Sequence, residues 1–303
     1  MANVLYNELS SQPKMNRHYR LTVQMVDEKG IPNEGKVIIE DPITIRFAVN
    51  RTLFADVNAM DIDIYNLAPE TYNQLFYDYF NVNRRTVILE AGYEQMGLSV
   101  IFIGDMWSCY TSRQGSDLIT RIHAIVGLKS LPLQTDATLE NISRNQILKH
   151  VAHDMAMDIK IYSGEDIKFN RPVTLNGNSF AIIQKYSEGM AFMDNNQITV
   201  LDSYDAIEGD VALINDESGL LGVPEHEDAL LRVKIMFEPR IIIGQIIEIK
   251  SRIAPMFNGQ YKVYGIKHEG TISGAVSGEA VTTLDMMVGS QVYGRFGIVT
   301  AQQ

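Results

Sequence analysis

A two-residue alternation of apolar and polar side chains is the feature of this sequence that most restricts its fold. It begins near residue 18 and recurs to about residue 130, as in Ile43, Ile45, Phe47 and Val49. Because alternate residues of a strand point to opposite faces of a sheet, this period predicts strands buried on one face and solvated on the other. Such strands are usually antiparallel, and we therefore expect a β-rich domain over residues 18–130.

One short helix is expected to interrupt the strands of this first domain. Pro69 suits the first position of a helix, because the N–H that proline lacks would be unpaired there in any case. Four apolar or aromatic residues then follow at the spacing of one helical face: Tyr72, Leu75, Phe76 and Tyr79. The sequence thus predicts a helix from Pro69 that turns this face towards the sheet.

After about residue 131 the period becomes that of helices, which predicts a small α+β unit over residues 131–203. Ser143 and Gln146 have the spacing of a capping box, in which each side chain binds the other residue's backbone N–H. The residues that mark one face of the helix after it are Ile147, Val151 and Met155.

A second helix and two strands complete the predicted α+β unit. The helix is expected over residues 179–188, with Asn178 as its N-cap and Gly189 just beyond its end. Strands at residues 190–193 and 198–201 are expected on either side of a polar turn.

The remainder of the chain divides at an acidic segment. Residues 204–230 carry many carboxylates and predict a solvated segment that crosses between the two β domains. A short strand at residues 211–214 is the alternative interpretation of that part. From residue 231 the alternation returns, and Asn258-Gly259 is a strong signal for a hairpin turn. We expect a second small β-barrel or sandwich over residues 231–303.

Composition excludes several classes of protein. Lys and Arg number 26 against 37 Asp and Glu, which gives a formal net charge of −11. This balance argues against a protein that wraps nucleic acid by neutralising phosphates, and against a polybasic membrane-surface binder. Cys109 is the single cysteine, so an internal disulfide and a multi-cysteine metal site are excluded. We expect it to be a small buried hydrophobic residue, in a chain suited to a reducing cytoplasm.

The N-terminal region has no targeting pattern. Residues 1–17 are polar, lack a period and predict an arm that a partner would order. They contain no apolar run of the kind found in a secretory signal. No stretch approaches the roughly 20 apolar residues that span a bilayer, and we expect a soluble protein.

Sequence motifs give little evidence for catalysis. The chain has neither a glycine-rich phosphate loop nor a GxSxG elbow. His150 and His153 lie three residues apart on a predicted helix, but no third metal ligand accompanies them. The acidic loop at residues 225–227 and the pair Asp61 and Asp63 are interpreted as solvated, although paired carboxylates also serve glycosidases. We predict no catalytic, metal-binding or cofactor-binding residues.

Aromatic residues near basic ones would also fit single-strand binding. Arg84 and Arg85 follow Tyr77 and Phe80, and a helix with its adjoining loop explains this group more simply. Trp107 and Tyr110 flank Cys109 near the end of a strand, where packing or an interface is expected.

The order of motifs between residues 43 and 104 resembles one known family. The segments are ITIRFAVNRTLFADVNAMDIDIYNLAPETYNQLF and VILEAGYEQMGLSVIFIGDM. A strand ending in IYNL, a short helix, a strand ending in EAGY and then IFIGD is similar to the baseplate hub proteins of contractile-tailed bacteriophages. Those proteins are related to the late control protein D group. Near the C-terminus, FEPRIIIGQIIEIKSR and NGQYKVYGIKHEG resemble the family's second tube domain, so the resemblance covers roughly residues 18–290.

The resemblance implies a fold and an assembly. The fold would be mainly β, with two tail-tube-like β-barrel domains and a small α+β insert. The chain would form a homotrimer around a channel, in which two barrels per copy imitate the sixfold ring of the tail tube. It would have no active site. Its partners would be tube or tube-adaptor proteins, a spike protein and other baseplate proteins, with DNA only in transit. It would belong to the virion tail after assembly in the host cytoplasm.

Two further expectations depend on this resemblance. An acidic channel would repel DNA phosphates and let a genome slide, and Asp61 and Asp63 are expected to line it. The alternatives are a hexameric tube initiator or adaptor, and a cell-wall hydrolase that uses His150 and His153.

Overall fold

Antiparallel strands make up most of the structure, a computed structural model. It describes residues 6–7, 14–27, 29, 31–53, 58–77, 80, 83–207, 211–227, 230–274 and 278–287. The strands are β1 (Tyr6–Asn7), β2 (Arg17–Val26), β3 (Pro32–Glu40), β4 (Ile45–Thr52), β5 (Ala59–Tyr65), β6 (Thr86–Tyr93), β7 (Gly97–Gln114), β8 (Asp117–Ile125), β9 (Gln134–Leu139), β10 (Asp158–Ile161), β11 (Val173–Asn178), β12 (Ala191–Asp194), β13 (Gln197–Val200), β14 (Val211–Asn215), β15 (Leu220–Glu227), β16 (Leu230–Met236), β17 (Ile246–Lys250), β18 (Gly259–Ile272) and β19 (Ala280–Met287). The helices are α1 (Pro69–Leu75), α2 (Arg144–Asp154) and α3 (Ser179–Tyr186), with a 3₁₀ turn at Pro255–Phe257.

The strands of the first predicted domain follow one another across a sheet in the order β3-β2-β6-β7-β8-β5-β4. Their alternation places one set of side chains in a hydrophobic core. Its members include Leu21, Phe47, Ile62, Leu89 and Ile122, each at most 2% exposed. The two-residue period of the sequence therefore corresponds to this buried face.

β18 joins the first set of strands to the second. Residues 265–272 of this strand pair with β4 on one side, and β19 pairs on the other. The row continues through β16 to β15, while β17 and β14 extend from the earlier part of β18. A second core lies here and includes Leu231, Val233, Ile247, Val263 and Leu284. The two β units are therefore parts of one hydrogen-bonded sheet.

The α+β unit lies between these two sets in sequence. Ser143 and Gln146 form the predicted capping box, with the Ser143 N–H donating to Gln146 Oε1 over 2.9 Å. Asn178 caps α3 by accepting from the Ala181 N–H at 3.0 Å. The predicted face of α2 is buried in a third core, which includes Ile147, Val151 and Met155.

A buried ion pair attaches this unit to the large sheet. Arg51 of β4 binds Asp194 through two hydrogen bonds, Nε–Oδ1 at 2.8 Å and Nη2–Oδ2 at 2.5 Å, and its side chain is 3% exposed. Asn58 donates to the Met193 carbonyl at 2.8 Å, and the Ile103 N–H donates to Asn195 Oδ1 at 2.9 Å. The turn between β12 and β13 is thus held against β4 and β7.

The structure confirms the mainly β fold class with an α+β insert and corrects some details. α1 ends at Leu75, so Phe76 lies beyond the helix and is 59% exposed, because the chain turns there to meet β7. Tyr79 lies outside the described residues. The acidic segment predicted as a solvated crossing contains β14, where a short strand is left open, and all of β15, since alternating apolar residues such as Ala212 and Ile214 reach the core.

The predicted arm is described only in part. Tyr6–Asn7 pairs in parallel with β14 of the same chain. Lys14 reaches the nearly buried Glu238 at 3.4 Å and the Ser218 carbonyl at 3.1 Å. Residues 1–5, 8–13 and 288–303 lie outside the described residues.

Candidate functional site

Eight strands form a continuous antiparallel row that crosses both β units. Their order is β7-β8-β5-β4-β18-β19-β16-β15, and every neighbouring pair in the row is antiparallel. One face of this row covers the two cores. The opposite face is solvated and extends across the whole width of the row.

This solvated face carries both basic and acidic side chains. We call it the charged face and define it by ten residues that alternate with core positions on their strands. The basic members are Arg46, Arg121, Arg232, Lys234 and Lys267, and the acidic members are Asp61, Asp63, Glu225, Glu269 and Asp285.

Cross-strand register places Asp63 beside the Arg121 guanidinium and Asp61 beside the imidazole of His123. Asp61 Oδ1 lies 2.7 Å from His123 Nδ1, and Asp63 Oδ1 lies 2.9 Å from Arg121 Nε. The pKa of Arg121 is raised above its ordinary value, mainly by a hydrogen bond with Tyr110 and secondly by the contact with Asp63. Arg46 is the register partner of Asp63 on β4.

The other half of the charged face is paired in the same way. Arg232 binds Asp285 through two hydrogen bonds of 2.7 and 3.1 Å. Lys267 lies 2.6 Å from Glu269 along β18, and Lys234 reaches Glu279 at 3.1 Å. These side chains are between 30% and 73% exposed, so each pair adds little to stability and mainly cancels charge.

Each of the two predicted carboxylates has a partner on the neighbouring strand β8. The structure brings Asp61 and Asp63 onto one face, as their spacing predicts, and places Arg121 against Asp63 and His123 against Asp61. Sequence reasoning missed these partners because they are far away in the chain; Asp63 and Arg121, for example, are 58 residues apart. A signal was present nonetheless: Arg121 and His123 have the same two-residue spacing on the polar face of β8.

The weaker sequence candidates are dispersed. His150 lies 3.8 Å from Asp154 on the exposed side of α2, and His153 is exposed. His226 lies on β15 with its ring 6.2 Å from that of Phe257. Within the part of the chain that the structure describes, no three His, Cys, Asp or Glu side chains are grouped closely enough to hold a metal ion.

The aromatic and basic residues near α1 have structural contacts. Arg85 donates to the carbonyls of Gln74 and Leu75 at 3.1 and 3.2 Å, so two carbonyl oxygens at the C-terminal end of α1 receive hydrogen bonds. Arg84 lies over the Trp107 ring at 5.5 Å. Cys109 is fully buried, and this burial raises the pKa of its thiol to about 12.

Comparisons with known proteins agree with this architecture. A family model described as baseplate hub gp41 matches residues 19–271. No curated protein sequence matches the chain. In the described residues, no helix has both the length and the apolar character needed to cross a membrane.

Several solved structures share the fold. A 43 kDa tail protein of prophage MuSo2 from Shewanella oneidensis has a TM-score of 0.60 at 8% identity, with 91% of this chain and 98% of that chain covered. A tail protein from Neisseria meningitidis MC58 has a TM-score of 0.58 at 6% identity, covering 90% and 97%. The E. coli c3393 protein, a type VI secretion component, has a TM-score of 0.54 at 12% identity, covering 82% and 75%.

Proposed function

The chain belongs to the baseplate hub gp41 family, and from this premise we propose that three copies form a ring at the hub of a contractile tail. The ring connects a sixfold tail tube on one side to a threefold spike on the other, and DNA passes through its centre. The role is structural and non-catalytic. The chain is assembled in the host cytoplasm and remains in the tail baseplate of the virion.

The eight-strand row is the observation that carries this proposal. It contains strands from both predicted tube domains, joined without a break at the pairing of β4 with β18. Three such rows side by side would provide a 24-stranded ring, with four strands for each of six tube positions. A closed ring would also remove the exposed edges that an isolated row leaves.

The charged face is the surface proposed to line the channel, with Asp61 and Asp63 among its residues. Its paired charges present no large field of either sign, so passing phosphates are neither bound nor strongly repelled. This lining is less acidic than the channel expected from the resemblance. A groove on this side of the row is lined by Arg46, Asp61, Asp63, Lys234 and Glu269 of the charged face and by the adjoining Glu279, and it extends across the joint between the two units.

Native mass spectrometry of the purified full chain tests the assembly. We expect a species of three 34.1 kDa chains. A six-chain ring would support the tube initiator or adaptor alternative, and a chain that stays monomeric at all concentrations would contradict both.

The lining is tested by making the charged face basic. The double substitution D61K/D63K reverses two carboxylates per copy and removes the carboxylate partners of Arg121 and His123. We expect particles that assemble but eject DNA more slowly at low salt, with the defect relieved by added salt, because lysines bind phosphates. The control is D136K, an exposed position on β9. Equal ejection by both variants would contradict the proposed lining.

A further inference from the structure

The N-terminal arm lies on the second β unit of its own chain. We propose that this arm is a releasable strap, which covers the outer edge of β14 and keeps that edge from pairing with a strand of a second copy. The inference goes beyond the proposed function, because it concerns the free chain and does not depend on which ring the chain forms.

The arm contacts β14 at its start and just beyond its end. Tyr6–Asn7 pairs in parallel with residues 211–212 at the start of β14. Lys14 Nζ donates at 3.1 Å to the carbonyl of Ser218, which lies in the turn after β14. The two contacts are eight residues apart in the arm and seven apart from Val211 to Ser218. The arm and β14 therefore run in the same direction with matching spacing, as a parallel pair of strands requires.

The edge that the arm covers would otherwise be open. β14 pairs with β17 on one side, and in the described residues β1 is the only strand that pairs on the other side. An open strand edge presents unpaired N–H and carbonyl groups, which are a template for pairing with another chain. A segment of the same chain seated on this edge therefore competes with a strand from a second copy.

Asn16 directs the chain from β2 towards β14. Its φ of 51° lies in the left-handed region, which asparagine adopts more readily than most residues. Its side-chain amide donates to Glu94 Oε2 at 2.8 Å, and its carbonyl accepts from the Glu94 N–H at 2.9 Å. The turn between β6 and β7 thus holds the point at which the arm leaves the first β unit.

Lys14 anchors the arm, and it can leave without orphaning a buried charge. Its Nζ lies 3.4 Å from Oε2 of Glu238, whose side chain is 1% exposed. Burial lowers the pKa of Lys14 and the contact with Glu238 opposes this shift, so seating the ammonium costs desolvation. Arg240 binds the same carboxylate through hydrogen bonds of 2.7 and 3.0 Å. Because Glu238 keeps this counter-ion, release of Lys14 avoids the large cost of an unpaired buried charge.

Hydrogen exchange of the full chain tests whether the arm covers β14. K14E places a second carboxylate beside Glu238, K14Q removes the charge without adding repulsion, and K36E at an exposed lysine of β3 is the control. We expect the amides of residues 211–213 to exchange about tenfold faster in K14E and to a smaller extent in K14Q, with unchanged circular dichroism. Exchange in both variants equal to that of K36E would overturn the proposed strap.

An engineered disulfide shows whose arm covers the edge. The register places Tyr6 opposite Val211, so the cysteines of Y6C/V211C can be bridged, and the buried Cys109 does not compete. We expect a bond within one chain, seen as a monomer on non-reducing electrophoresis, and restored protection of β14 in K14E/Y6C/V211C. A bond between two chains would show that the arm covers a second copy, and it would overturn the assignment to its own chain.

Light scattering tests whether the arm guards the edge. K14E should associate beyond the assembly that the wild-type chain forms at the same concentration, whereas K14E/Y6C/V211C should not, because the bond keeps the edge covered. Faster exchange in K14E without added association would contradict the guarding role. Each variant is compared with the wild-type chain, so a wild-type chain that forms no trimer would refute the proposed function and leave this inference to its own results.

Discussion

Removing the carboxylate of Asp194 should weaken the attachment of the α+β unit to the sheet and strongly destabilise the protein. Arg51 is 3% exposed and depends on Asp194 for two hydrogen bonds. D194A leaves the guanidinium buried without its counter-ion, and breaking a buried pair from one side costs about 3–5 kcal/mol. Urea unfolding followed by circular dichroism measures this loss.

The chain provides a control of similar geometry in a different environment. Arg232 and Asp285 also form a doubly hydrogen-bonded pair, but their side chains are 42% and 30% exposed. Because solvent screens this pair, D285A should cost about 0–1 kcal/mol. The double variant R51L/D194A should lose less than the sum of its single variants, since no unpaired charge remains. Equal losses for D194A and D285A would refute the reasoning that burial decides the cost.

Three further predictions concern single side chains. His268 is fully buried; this burial, and secondly the charge of Arg51, lowers its pKa to about 3. As the pH falls from 6.5 towards 3, the unfolded chain binds a proton at this residue and the folded chain does not, so the folded state should lose stability over this range. Urea midpoints should therefore fall more steeply with acid in wild type than in H268Q, and parallel curves would contradict this. Cys109 should react with iodoacetamide only in denaturant, as mass spectrometry would show, and rapid alkylation of the native chain would disprove its burial. S143A should lower the free energy of unfolding by about 1 kcal/mol through loss of the α2 cap, and an unchanged urea midpoint would count against this role.

Local features of the fold could be predicted because their causes are local in sequence. The alternation of Ile45, Phe47 and Val49 specifies a strand with one buried face, and the structure has β4 at this position. The capping residues Ser143 and Asn178 also lie where their spacing predicts, since a cap involves only neighbouring residues.

Long-range features could not be predicted in the same way. The pairing of β4 with β18 joins residues more than 200 positions apart, and no short pattern specifies which strand edges meet. The same limit applies to Arg51 and Asp194, separated by 143 positions. α1 ends earlier than its apolar spacing indicates because Tyr77 is drawn into a bridge with Cys109.

The candidate site combines both kinds of feature. The two-residue spacing of Asp61 and Asp63 was sufficient to place them on one solvated face. Their partners, Arg121 and His123, come from β8, and only the tertiary register shows them. The net charge of −11 therefore says little about this particular surface.

An electron cryomicroscopy map of the assembled tail tip tests the central claim most directly. It would show the number of copies in the ring and the face that each copy turns inward. The proposed function predicts three copies, with the charged face containing Asp61 and Asp63 lining the channel and the row of strands continuous from copy to copy. Six copies in the ring, or a channel lined by another face of the chain, would contradict it.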